Sequence, residues 1–100
     1  VDVQSNHAIV LTSLGSVESR ENDAAASLEW YERALRIRAA LVQQSPQDSL
    51  LQRDHAVVLV RVASMAGRTG DSIRQQQLLG RSLDIRQELA ARRHWLRHDQ

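Results

Sequence analysis

The chain has 100 residues, with 42% apolar and 25% charged side chains and a formal net charge of +1, the composition of one small globular domain with a modest core. It has no Cys, which excludes disulfides and thiolate chemistry. No apolar run approaches the ~20 residues of a membrane-spanning helix, and Val1-Asp2-Val3-Gln4-Ser5 has none of the features of a signal peptide. The chain begins without Met, so a piece of a longer polypeptide is expected, and a cytoplasmic location with no membrane partner.

The first predicted helix carries Leu11, Leu14 and Val17 at helical spacing. Asn22-Asp23 breaks it and supplies an N-cap. A second helix starts at Ala24, with the stripe Trp30-Ala34-Ile37-Leu41 beside Tyr31-Leu35-Val42. Ser45-Pro46-Gln47-Asp48 ends it, because Pro cannot extend the hydrogen-bond ladder and disfavours helix in the residue before it. A third helix runs from about Ser49 to Gly67 and stops near Gly70, a residue suited to the left-handed turn. Within it, Val57-Val58-Leu59-Val60-Arg61-Val62 is β-branched enough to suggest a strand. Helix-type spacing on both sides favours helix. Asp71 caps the fourth helix, whose stripe is Leu78-Ser82-Ile85-Leu89-Leu96, with Leu79-Leu83-Ala90 alongside. Gly80 inside it is either a close-approach point or a weak spot.

The order of these elements is a duplication. Shifted by 48 residues, His7–Gln44 aligns without a gap on His55–Arg92, and 12 of 38 pairs are identical, among them His7/His55, Leu11/Leu59, Asp23/Asp71 and Ile37/Ile85. The expected fold is all-α: two stacked helix-turn-helix repeats, about residues 5–46 and 49–98, forming four helices of an α-solenoid fragment in a single domain. All thirteen basic residues are Arg. Residues 1–50 hold four Arg against seven acids and residues 51–100 nine against five, a polarity that suits head-to-tail association or mere solvation of helix faces.

Leu11-x-x-Leu14-Gly15, Asn22-Asp23 and Tyr31-x-x-Ala34-Leu35 resemble the tetratricopeptide repeat. The 48-residue period exceeds the usual ~34 and is similar to the long-helix repeats of kinesin light chain and of bacterial signalling proteins. Pro46-Gln47-Asp48…Gln52-Arg53-Asp54 looks like the linker of the bacterial type. The resemblance covers about residues 5–93. The second unit departs from it, with Ala63 for the Gly, Leu79 for the aromatic and Ser82 for the Ala; in the first, Ser27 stands where the family has Ala.

The resemblance implies a non-catalytic scaffold that binds a peptide or protein along one face of the first helix of each unit. By register that face comprises Ile9, Thr12, Ser13, Ser16, Val57, Val60, Arg61 and Ser64. The Lys and Asn of the family's carboxylate-clamp form are missing, and Arg61 alone is placed to hold a carboxylate. The third helix is apolar nearly all round, with Val58, Leu59 and Val62 on one side and Val57 and Val60 on another, so a partner, a second copy or a further repeat is expected on its second side. Self-assembly of a larger protein is therefore the alternative function.

Other candidate sites read more simply. His94 and His98 lie four apart, yet structural zinc wants four ligands, and a solvated helix end explains them. His7 and His55 read as packing or capping residues. Arg92, Arg93 and Arg97 with Trp95 form a basic tail that suits the helix dipole. The small net charge argues against a nucleic-acid partner. Glu29, Glu32, Asp84 and Glu88 beside Arg33, Arg36 and Arg81 read as exposed helix pairing. No cofactor, metal or catalytic residue is expected.

Overall fold

The computed structural model describes residues 2–98, and the side chains of residues 3–93. It contains four α-helices: α1 (Asp2–Arg20), α2 (Ala24–Gln44), α3 (Ser49–Arg68) and α4 (Ser72–His98). Among the described residues there is no strand, and the β-branched run Val57–Val62 lies inside α3. Tertiary packing outweighs its weak local preference. No helix is long and apolar enough to cross a membrane among the described residues.

Each turn is fixed by short-range chemistry. Asn22 takes the left-handed conformation with φ 63°, and the Asp23 carboxylate accepts from the Ala26 amide at 3.0 Å. Before α3, Asp48 accepts from the Leu50 and Leu51 amides at 3.0 and 3.1 Å. Before α4, Gly70 has φ 95° and Asp71 accepts from the Arg74 amide at 3.1 Å. Each carboxylate satisfies otherwise unpaired amides of a helix start, a cap worth ~1 kcal/mol.

The helices pack in sequential pairs, α1 on α2, α2 on α3 and α3 on α4. The fold is thus all-α, two helical hairpins in contact through α2 and α3. The core joins Leu11, Tyr31, Ala34, Val58, Leu59, Val62, Ala63, Met65 and Leu78, with Trp30, Leu35, Ile37 and Ile85 partly buried against it. α3 lies between α2 and α4 and buries nine residues.

Small residues let the paired helices approach closely. Ala8 and Ala34 are both fully buried in the first hairpin, and Ala56 and Ser82 hold the equivalent places in the second. The Ser82 hydroxyl donates to the Ala56 carbonyl at 2.9 Å, which removes the cost of burying an unpaired hydroxyl. Ser27 does the same in the first hairpin, donating to the Gly15 carbonyl at 2.8 Å. Gly15 is a true close approach: an added Cβ would lie 2.6 Å from the Tyr31 ring. Gly80 has open space around it and is not a contact point.

Two expectations need correction. The flank Leu79-Leu83-Ala90 of α4 is exposed, because no helix follows α4 among the described residues to cover it. Of the acids expected to pair within their own helices, Glu32 instead binds Arg74 of α4, while Glu88 pairs with Arg92 at 2.7 Å. Leu96 lies outside the residues whose side chains are described.

Candidate functional site

α1 and α3 present two neighbouring clefts. Ile9, Thr12 and Ser13 of α1, Arg38 of α2, and Asp54, Val57, Val58 and Arg61 of α3 line one of about 200 Å³. The next, of about 280 Å³, is lined by Ser16, Ser19, Arg20, Tyr31 and Arg61. Arg61 borders both. The register-derived face therefore comes together at Ile9, Thr12, Ser13, Ser16, Val57 and Arg61. Val60 is half-buried and Ser64 exposed, and neither lines these clefts.

Arg38 is the least expected member. Its side chain is only 8% exposed, and Nη1 lies 3.6 Å from Oδ2 of Asp54. Nη1 also donates to the Ser5 hydroxyl at 2.9 Å, while the buried Nε has no partner among the described residues. Arg38 is buried while Asp54 is half-buried, so loss of Asp54 would leave the Arg38 charge without its counter-ion between α2 and α3. Arg61 reaches over the Tyr31 ring, 5.9 Å from its centroid, and the Tyr31 hydroxyl is 3.0 Å from the Ser16 hydroxyl. The Thr12 hydroxyl donates to the Ala8 carbonyl at 2.8 Å, which leaves its oxygen able to accept a further hydrogen bond. The wall is mixed: apolar at Ile9 and Val57, hydroxylic at Thr12, Ser13 and Ser16, cationic at Arg61.

Sequence reasoning missed Arg38, Asp54 and Tyr31 as cleft residues. A signal was present, since Arg38/Arg86 is an identity of the repeat and Asp54 belongs to the linker motif. Register alone does not reveal that Arg38 is buried beside Asp54.

A third cleft, of about 310 Å³, lies between the start of α3 and the later part of α4, lined by Ser49, Leu50, Arg53, Leu89, Arg92 and Arg93. It adds Arg53 to Arg92 and Arg93. The side chains of His94, Trp95, Arg97 and His98 fall outside the described ones. No three His, Asp or Glu side chains come together at metal-binding distance among the described residues.

His55 and His7 differ. His55 is buried on α3 with both ring nitrogens unpartnered among the described residues, whereas His7 on α1 is exposed. Burial, and secondarily the Arg81 guanidinium, push the His55 pKa below its ordinary 6.5.

Compared with known proteins, the chain matches no family model, no curated protein and no solved structure.

Proposed function

We propose that this chain is a non-catalytic protein-interaction module of the tetratricopeptide type, taking an extended peptide segment along the α1–α3 face. The observation that carries the reading is the convergence of Ile9, Val57 and Arg61 with the buried Arg38 and its half-buried partner Asp54 in one open cleft. An apolar side chain fits against Ile9 and Val57, and a carboxylate or backbone carbonyl is drawn to Arg61. Two stacked hairpins, the glycine under the Tyr31 ring and the Asp caps support the family reading. Partners of this kind are proteins rather than nucleic acids, and no cofactor is required.

The test is selection of binders from a displayed random-peptide library, followed by titration of the selected peptides against Val57→Glu and Arg61→Glu. The expected result is at least about tenfold weaker binding to each variant, equivalent to ~1.4 kcal/mol. Peptides that bind both variants as well as the unmodified chain would overturn the reading.

A further inference from the structure

The duplication provides an internal control for what the outer faces of the molecule are built to meet. On α1, Val3, Val10, Leu14 and Val17 form one stripe at helical spacing, and all are exposed. Their equivalents 48 residues on are Leu51, Val58, Val62 and Met65, and all are buried. The contrast is large: Val10 is 55% exposed against 4% for Val58, and Leu14 38% against 0% for Val62. Ala8, Leu11 and Gly15 are buried in α1, as Ala56, Leu59 and Ala63 are in α3, so equivalent positions face the hairpin partner in both units. The extra cover on α3 comes from the first hairpin, through the α2–α3 contact.

The opposite edge mirrors this. Leu79 and Leu83 of α4 are 42% and 55% exposed. Their equivalents on α2, Tyr31 and Leu35, are buried and partly buried in the core that includes Val58 and Val62. α4 therefore displays the surface with which α2 meets α3, and α1 displays the surface with which α3 meets α2.

We infer that the chain associates head to tail with a second copy of itself, α4 of one copy packing on α1 of the next as α2 packs on α3 within the chain. Charge favours that order: acids outnumber arginines seven to four in residues 1–50, and arginines outnumber acids nine to five in residues 51–100, so unlike ends meet. The contact is heterologous and does not close on itself after two copies, so assembly proceeds beyond the dimer. This edge-on surface is distinct from the α1–α3 clefts, and its failure leaves the peptide-binding proposal standing.

Sedimentation of the chain, of Val10→Asp and of Leu83→Asp across a wide concentration range tests the inference. Both replaced side chains are exposed, and Asp is too short to lift its charge clear of an apolar contact. The unmodified chain is expected to gain mass with concentration, and each variant to remain monomeric with unchanged helical circular dichroism. An equimolar mixture of the variants should form a dimer and nothing larger, since each retains the edge the other lacks. Ile73→Asp should associate normally, because its equivalent, Ala25, is exposed in the first unit too. Leu14→Ser and Leu79→Ser give the same readout with a milder change, should either Asp variant lose helicity. An unmodified chain monomeric throughout, a variant that still dimerises alone, or a mixture that stays monomeric would overturn the inference.

Discussion

The two hairpins share a sequence plan yet secure their helices by different means. In the first, the Tyr31 ring lies on Gly15 and the Ser27 hydroxyl holds the Gly15 backbone. In the second, Ala63 and Leu79 replace the glycine and the aromatic, and the Ser82–Ala56 hydrogen bond ties α4 to α3 instead. Leu79 is exposed, where Tyr31 is enclosed. A repeat tolerates this exchange because the requirement is close approach at a few points, and either glycine or a satisfied serine meets it. The first hairpin is then the more sensitive to steric change at its crossing, and the second to loss of volume in α3.

The largest effect expected from this contrast is at Gly15. Gly15→Val pushes carbon into the Tyr31 ring and should cost about 3 kcal/mol, read as a lower urea midpoint. A melting curve indistinguishable from the unmodified chain would show that the ring is free to yield. Next comes the pair Val62 and Leu14, equivalent by repeat. Val62→Ala empties a fully enclosed site and should cost about 2 kcal/mol. Leu14→Ala removes a larger but exposed side chain and should cost under about 1 kcal/mol in the monomer. Equal losses would mean that burial, and not side-chain size, had been misjudged.

The histidines sharpen the same comparison through pH. The folded-state pKa of His55 is lowered, so above its ordinary 6.5 neither state carries the extra proton and stability is flat on its account. As pH falls through that value, the unfolded chain takes up a proton that the folded chain refuses. Stability therefore declines until the folded-state pKa is reached, with a slope of at most about 1.4 kcal/mol per pH unit from this group. His55→Met should flatten the decline in denaturant titrations between neutral and mildly acidic pH. An unchanged slope would place its source elsewhere. The smallest expected effect is a gain. Gly80→Ala adds a methyl into open space within α4 and should stabilise by about 0.5–1 kcal/mol through helix propensity. A loss would reveal a contact at Gly80.

Much of the fold was legible beforehand because it depends on neighbours in sequence. Asp23 and Asp71 announce helix starts, Pro46 an end and Gly70 a turn, through bonds that span a few residues. The 48-residue duplication likewise specified two like hairpins without any structure. Ile9, Thr12, Ser13, Ser16, Val57 and Arg61, the positions that the family resemblance implies for a groove, share one side of α1 and α3 because side chains at helical spacing share a face. Beyond that point periodicity falls silent. It marks a face as apolar but does not say which helix covers it, and so Val10 and Val58, alike in sequence, end up on the outside and in the core. The same holds for Arg38, whose burial against Asp54 depends on how α2 meets α3. Local chemistry determined the helices, their caps and their pairing into repeats; only the order of stacking decided which repeated positions became interior, because burial is a property of the neighbours a residue acquires and not of the residue itself.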